Sequence, residues 1–277
     1  MHTNFESIIE ELLPTLKNIA NGRSSVAITG AHAKGSSDIG SDIDFHIIVE
    51  DPKPHDEVYG MFSKIADEGT LIVTEDFYSE LWGGKIDYYY KGIPVEMYTQ
   101  ALSVLLRTME EAIDGKFEII PQVWTTNGYY TYIMLSEVYY MQPLWDPTGI
   151  VAELKAKVAV YPEKLREAII GTFFERANTW IDNFHYHTAF ARGDYMYTVP
   201  IIVHTVMDMV QVIFAINRVY FPGDKKLMKS LSQLSYCPAA LLENMEFLYS
   251  ASTDAGVLQR QCDILREVRD ELRQRIS

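Results

Sequence analysis

The apolar positions in the first half of the chain follow two alternating periods. Runs in which every second residue is apolar, typical of strands, are separated by stretches in which apolar residues recur every three or four positions, as on a helix face. The pattern predicts, in order, helix 5–20, strand 26–30, a strand through 43–49, helix 56–67, strand 71–74, hairpin 88–98 and helix 101–113.

The second half of the chain has helical periodicity almost throughout. It predicts helices over 129–140, 147–160 and 162–190, with Gly193 as the C-cap of the last, then an apolar helix over 199–216 and two or three helices up to residue 277. The change of pattern falls within 115–127. We therefore expect an α+β fold with two domains, a sheet-containing domain over 1–120 and an all-α helical domain over 121–277.

Asp42 and Asp44 lie at the start of an otherwise apolar strand. Because side chains alternate between the faces of a strand, both carboxylates point to one side, while Ile43 and Phe45 point to the other. Like charges this close repel each other unless a cation lies between them. Carboxylate oxygens with room for water suit Mg²⁺, which substrate phosphates usually complete. The pair therefore predicts a magnesium site for a nucleoside triphosphate.

Two other interpretations of this acidic stretch fail on spacing. An EF-hand loop counted from Asp38 would need Gly at its sixth position and Glu at its twelfth, where the chain has Ile43 and Val49. A Walker-type phosphate loop ends in Gly-Lys-Ser/Thr, and residues 34–36 have these letters in the wrong order. A solvated acidic loop remains as the alternative. The apolar neighbours of Asp42 and Asp44 argue against it.

Residues 25–50 resemble the nucleotidyltransferase superfamily typified by DNA polymerase β, and within it the small nucleotidyltransferases that modify aminoglycosides and lincosamides. The family has a glycine-serine pair after the first strand and Asp-x-Asp on the next strand. Here the pair is Gly30-Ala31 and the carboxylates are those of Asp42 and Asp44. The resemblance implies an N-terminal polymerase β-like nucleotidyltransferase domain with a mixed sheet, followed by a helical substrate-binding domain.

The same resemblance implies contacts to the triphosphate. Lys34 and Ser41 fall where relatives place a basic residue and a serine against the phosphates. Ala31 departs from the pattern because it lacks the usual serine hydroxyl, although backbone N–H groups at the turn of Gly30 can still bind an anion. The implied cofactor is Mg²⁺, as two ions, with ATP or another nucleoside triphosphate as co-substrate.

Relatives place a third carboxylate on a later strand, and Glu96 is our candidate for it. It lies in a strand-like run after the turn-forming pair Lys91-Gly92, which predicts a β-hairpin. Asp87 is the competing candidate for the third carboxylate, although apolar residues flank it less regularly than they flank Glu96. His46 continues the face of the two aspartates by the same two-residue period and should project near the site.

The helical domain offers two further candidates. Relatives with a helical second domain often direct a basic residue onto the nucleotide phosphates, and Lys225, in the turn after the apolar helix, matches this role. Within that helix, His204, Asp208 and Gln211 form a polar stripe that argues against a membrane span. The stripe would either line a substrate cleft or satisfy neighbouring groups.

The chain is strongly acidic, with 24 basic and 38 acidic residues among 277 and a net charge of −14. No basic patch suited to nucleic acid is visible. An acidic surface would instead attract a cationic small molecule, for which Glu175, Asp182 and Asp208 are candidate contacts. Two cysteines without metal or redox spacing, and an acidic amphipathic N-terminus, favour the cytoplasm.

Together these features predict an enzyme that transfers a nucleoside monophosphate, AMP from ATP in the first instance, to a hydroxyl of a small molecule. An aminoglycoside-like antibiotic is one candidate acceptor. Asp42, Asp44 and Glu96 would hold the metal, and the general base would be Glu96 or a carboxylate of the helical domain. The alternatives are a regulator that nucleotidylates a protein or RNA end, and a catalytically weak nucleotide-binding relative, which Ala31 would explain.

Overall fold

The structure, a computed structural model, combines strands and helices in its first part. It describes residues 5–35, 37–38, 40–74, 81 and 83–276. The elements are, in chain order, α1 (Phe5–Leu16), β1 (Ser24–Ile28), α2 (Gly30–Ala33), β2 (Ile43–Val49), α3 (His55–Phe62), β3 (Ile72–Val73), β4 (Gly84–Tyr90), β5 (Ile93–Ala101), α4 (Leu102–Ile113), β6 (Ile119–Ile120), β7 (Tyr129–Tyr130), α5 (Ile133–Tyr140), β8 (Gln142–Trp145) and α6 (Ile150–Val158).

The remainder of the chain is helical. It contains α7 (Glu163–Ile181), α8 (Phe184–Ala191), α9 (Tyr195–Asn217), α10 (Leu227–Ser232), α11 (Ala239–Glu243), α12 (Met245–Leu248) and α13 (Ala255–Ile276). The expected α+β fold, with a sheet in the N-terminal part and helices after it, is confirmed.

Six strands among the described residues form one mixed sheet, in the order β3-β4-β5-β2-β1-β8. The central pair, β2 and β5, is parallel, and the other neighbours are antiparallel. The β4–β5 hairpin turns at Lys91 and Gly92, both with positive φ (53° and 76°), which matches the twist of a two-residue hairpin turn. This turn was expected from the sequence.

One face of the sheet is buried in an apolar core. Alternate residues of β2, among them Phe45 and Ile47, pack in one cluster with α1 and α3, whose contributions include Leu12 and Phe62. Each of these four side chains is at most 1% exposed. The same alternation leaves the polar residues of β2, β4 and β5 on the opposite face, and this face carries the candidate site.

The chain divides into two compact units, and it enters the first unit twice. The first unit runs to Glu110 and takes in Met134–Val160, while Glu111–Ile133 and the chain from Tyr161 onward form the second. The return occurs because β8 pairs with β1, and Ser25 Oγ donates to Asp146 Oδ1 at 2.5 Å just beyond β8. A single boundary at residue 120 therefore does not describe this division.

In the second unit, α7, α9 and α13 pack on one another. The helix α9 is long and apolar enough to cross a membrane by length and composition, with a mean hydropathy of 1.9, but 67% of its most apolar window is buried inside the protein. Its burial is that of a core helix.

Two predicted helices differ from those observed, and one strand was missed. The predicted helix 129–140 begins as β7, because Tyr129 and Tyr130 pair with β6, and turns helical only at Ile133. The predicted helix 162–190 breaks where Asn183 caps α8 by accepting a hydrogen bond from His185 N at 2.9 Å. The strand β8 was not predicted, since Gln142–Trp145 has no apolar alternation.

Candidate functional site

Three carboxylates converge on the polar face of the sheet. Asp42 immediately precedes β2, Asp44 lies on it, and Glu96 lies opposite Asp44 on the parallel strand β5. All three are partly buried, and one oxygen from each lies within 4.8 Å of the others. Sequence spacing placed the two aspartates together, and the strand pairing adds the glutamate.

The turn after β1 is built around the Asp44 side chain. Thr29 N donates to Asp44 O at 2.9 Å, and Gly30 follows with a φ of +59°. A Cβ atom added at Gly30 would lie 1.8 Å from Asp44 Oδ2. Only glycine allows both the left-handed backbone and this close approach of the chain to the carboxylate.

The side chains at the site fit a divalent cation. Within the described residues, this is the one group of three or more His, Cys, Asp or Glu side chains close enough to share a metal. Asp87, directly opposite Glu96 on β4, also has a buried oxygen, Oδ1, with no hydrogen-bond partner in the part of the chain that the structure describes. An all-oxygen donor set with an unsatisfied acceptor beside it suits a hard ion such as Mg²⁺.

Lys85, which sequence reasoning missed, lies beside these carboxylates. Its Nζ is 2.7 Å from Asp87 Oδ2. Burial alone would lower the pKa of Lys85, but the hydrogen bond and charge of Asp87, followed by the charges of Glu96 and Asp42, raise it above its usual value. The signal in the sequence was the period of two, which puts Lys85 and Asp87 on the same strand face.

The residues predicted to contact the phosphates lie in different parts of the first unit. Ala31 lies in α2, next to Gly30, and is partly exposed. Lys34 caps the end of α2, and its Nζ is 3.0 Å from Glu137 Oε1. The hydroxyl of Ser41 donates to Asp38 Oδ1 at 3.1 Å and so organises the loop before β2. Their contacts with a nucleotide stay predictions.

The helix α5 brings a further carboxylate, Glu137, to the same unit. Its charge acts on His46, and it also acts on Tyr98 of β5. Burial lowers the pKa of His46, and the neutral ring lies 3.0 Å from Gln100 Oε1. His46 therefore lies on the expected face but is held by Gln100. Burial, then Glu96 and Asp44, raises the pKa of the Tyr98 hydroxyl.

His32 is a second neighbour of the aspartates that the sequence did not indicate. It lies on α2, and its ring stacks on Phe5 with the centroids 3.9 Å apart. Burial lowers the pKa of His32, and the charge of Asp42 opposes that shift. The interaction puts an imidazole within electrostatic reach of the first aspartate.

The candidates of the helical unit are more dispersed. Lys225 is exposed in the turn before α10, and its contact with a nucleotide stays a prediction. In the polar stripe of α9, His204 is exposed, whereas Asp208 and Gln211 are buried. Gln211 Oε1 accepts a hydrogen bond from Tyr132 at 2.6 Å, so this residue satisfies a neighbour.

The expected acidic contacts for a cation are largely paired already. Asp208 lies 3.3 Å from Arg176 Nε, and Asp182 pairs with both Arg266 and Arg269. Of the three proposed carboxylates, only that of Glu175 is exposed without a described side-chain partner. These ion pairs reduce the negative charge that the helical faces offer to a ligand.

Comparisons with known proteins find a family model that matches part of the chain and solved structures that resemble it. Residues 134–227 match the family described as Domain of unknown function (DUF4037), a segment from α5 to the start of α10 that contains none of the three site carboxylates. No curated protein matches the sequence. The chain is also similar to a nucleotidyltransferase-like protein from Exiguobacterium sibiricum 255-15, known from a crystal structure, with a TM-score of 0.46 and 10% identity over 98% of this chain and 75% of that one.

Proposed function

We propose that the protein is a magnesium-dependent nucleotidyltransferase of the DNA polymerase β-like type. The observation that carries this proposal is the convergence of Asp42, Asp44 and Glu96, with one oxygen of each within 4.8 Å of the others. The glycine turn that touches Asp44 supports it, because the chain after β1 approaches the carboxylates without a side chain in the way. Two adjacent strands and a glycine turn would thus form one cation-binding site.

In this function Asp42, Asp44 and Glu96 would hold Mg²⁺, as one or two ions. The ion, when bound, supplies positive charge that neutralises the triphosphate and the developing charge on pyrophosphate. Gly30 and Ala31, at the turn after β1, are the proposed backbone contacts to the phosphate oxygens. Lys34, Ser41 and Lys225 are the proposed additional phosphate contacts, and the nucleotide is ATP in the first instance.

Two carboxylates are candidates for the general base that takes the proton from the attacking hydroxyl. Glu96 is the first, because it lies in the cluster itself. Glu137 is the second: it belongs to α5, its charge acts on Tyr98 of the site face, and its side chain is 25% exposed. Glu137→Gln separates them: if Glu137 is the base, this variant keeps metal binding but loses transfer, and if Glu96 is the base, it keeps both.

The proposed acceptor is a hydroxyl of a small molecule, with an aminoglycoside-like antibiotic as one candidate. The net charge of −14 supports a cationic acceptor. A cationic acceptor should bind more weakly as salt rises, since exposed charges are screened over about 8 Å at physiological ionic strength. Titration of an aminoglycoside and a neutral sugar at low and high salt tests this, and salt-independent binding of both would contradict it.

A catalytically weak nucleotide-binding protein is the second candidate, favoured by Ala31 in place of the serine of the resembling family. The variant Ala31→Ser tests whether the missing hydroxyl makes the protein catalytically weak. If the missing hydroxyl limits activity, this variant should gain transfer activity over the wild type. If the wild type already transfers label, an unchanged rate would show that the backbone at the turn is sufficient.

The test of the main proposal is transfer of label from α-labelled nucleoside triphosphates to a panel of small hydroxyl compounds, with Mg²⁺ or with EDTA. We expect transfer only with Mg²⁺, and its loss in Asp42→Asn and Asp44→Asn. Asp51→Asn is the matched control, because Asp51 is an exposed aspartate just after β2. Wild-type turnover in either site variant, or equal ATP affinity with Mg²⁺ and EDTA, would overturn the assignment.

A further inference from the structure

The strand β4 adds a charged pair to the face that carries the triad. In the antiparallel pairing with β5, Asp87 lies opposite Glu96 and Lys85 lies opposite Tyr98. Directly opposed side chains are about 5 Å apart at Cβ, and diagonal neighbours are still within reach of a long side chain. Lys85 is therefore adjacent to Asp87 along its own strand face and diagonal to Glu96 across the pair.

The backbone of Lys85 is hydrogen-bonded to Thr74, on the side of β4 away from β5. Lys85 N donates to Thr74 Oγ1 at 3.0 Å, and Thr74 N donates to Lys85 O at 3.0 Å. The side chain is 38% exposed, and its ammonium pairs with Asp87 Oδ2. A fixed backbone with a flexible four-carbon stem lets the charge move without disturbing the strand.

Lys85 places a positive charge beside a cluster of negatively charged carboxylates. Asp42, Asp44 and Glu96 form the proposed metal site, and Asp87 lies beside Glu96 with its buried Oδ1 lacking a hydrogen-bond partner among the described residues. Four carboxylates so close together repel one another, and Lys85 is the ammonium that pairs with one of them. A divalent ion entering the cluster would bring like charge against that ammonium, while a bound triphosphate would attract it.

We propose that Lys85 is an internal counter-ion of the carboxylate cluster, which the divalent ion displaces toward the triphosphate. This inference rests on the metal site of the proposed function. Without metal, Lys85 reduces the repulsion among the carboxylates. With metal and nucleotide bound, the same ammonium contacts phosphate oxygens, so that one side chain serves both states of the site.

The first test measures Mn²⁺ binding by electron paramagnetic resonance, with no nucleotide present. Lys85→Met should bind Mn²⁺ roughly 3- to 10-fold more tightly than the wild type, because a competing charge has been removed from a partly buried site. Lys85→Arg keeps the charge and should bind like the wild type. Lys64→Met is the matched control, since Lys64 is an exposed lysine of the same unit. Unchanged or weaker Mn²⁺ binding by Lys85→Met overturns the counter-ion role.

The second test measures ATP binding by calorimetry at saturating Mg²⁺. Lys85→Met should weaken ATP binding on the order of 10-fold while Lys64→Met leaves it unchanged, because a charge-assisted contact to phosphate is lost. Equal ATP affinity in Lys85→Met and the wild type overturns the displacement toward the triphosphate. If the wild type binds no Mn²⁺, the proposed function fails as well. If it binds Mn²⁺ and Lys85→Met binds it equally, only the inference about Lys85 fails.

Discussion

Gly30 has the most restricted position at the candidate site. Its φ of +59° and the 1.8 Å separation of a hypothetical Cβ from Asp44 Oδ2 are independent constraints. Gly35 has nearly the same backbone, with a φ of +64°, but no atom of the described residues lies within 4 Å of a Cβ placed there. The two glycines therefore separate backbone strain from steric conflict with the carboxylate.

We expect Gly30→Ala to lower the free energy of unfolding by about 2 kcal/mol or more and to abolish Mn²⁺ binding, because Asp44 must move. Gly35→Ala should lower it by only about 1 kcal/mol, the cost of a left-handed non-glycine residue. Urea denaturation and Mn²⁺ titration of both variants check this. Equal losses in the two variants would mean that Asp44 yields to the added methyl group without consequence.

Asp208 is a buried carboxylate that pairs with Arg176 Nε at 3.3 Å. It is 5% exposed, and burial raises its pKa to about 7, a shift that Arg176 only partly offsets. Since the unfolded carboxyl titrates near 4, the folded state binds the proton more tightly between about pH 4 and 7. The contribution of Asp208 to stability therefore falls as the pH rises through this window.

We expect Asp208→Asn to become more stable than the wild type as the pH rises, by about 2 kcal/mol above pH 7, where the wild type carries a charged and largely buried carboxylate. Below about pH 4 the two proteins should differ little. Urea denaturation from pH 4 to 8 measures the difference, with Glu175→Gln, on the exposed face of α7, as the control expected to show none. A difference that does not vary with pH would contradict the raised pKa.

At the scale of elements, the sequence predicted those helices and strands that are determined by residues close together in the chain. The period of two in residues 43–49 predicted β2, and Lys91-Gly92 predicted the hairpin that sets Glu96 on its strand. The break between α7 and α8 was missed because the apolar period continues through it and only Asn183 marks it. The strand β8 was missed because its place is determined by pairing with β1, far away in the sequence.

The same difference between local sequence and strand pairing explains which site residues were predicted and which were missed. Asp42 and Asp44 were placed together by strand alternation alone, whereas Asp87 and Lys85 acquire their significance from the register of β4 against β5. Glu137 reaches the site unit through the return of the chain at α5. A single sequence shows which residues share a strand face, but it does not show which strands become neighbours.

The cap at Asn183 should account for measurable stability of α8. Its side chain accepts the hydrogen bond of His185 N, which otherwise lacks a helical partner. We expect Asn183→Ala to lower the free energy of unfolding by about 1 kcal/mol. Thr188→Ala, an exposed substitution within the same helix, should change it much less. Equal effects of the two variants in urea denaturation would show that the cap is unimportant.

At the scale of the molecule, the sheet of the first unit is completed by a late segment. Residues 134–160 supply β8, which covers the outer edge of β1. A fragment ending at residue 120 leaves that edge open, and open edges promote association. We expect the amides of β1 that face β8, as distinct from those that face β2, to be protected from hydrogen exchange in a fragment ending at residue 160 and unprotected in the shorter one. Equal protection in both would show that β8 is dispensable.

The pairing of β1 with β8 also affects how the chain folds during its synthesis. Ser25 and its partner Asp146 are 121 residues apart, and a ribosome adding about 5–20 residues per second needs roughly 6–24 s to make the intervening chain. Part of that chain, residues 111–133, belongs to the second unit, whose remaining residues are translated later still. The nascent protein therefore exposes the open edge of β1 together with the apolar residues of 111–133 until the rest of the chain has been made.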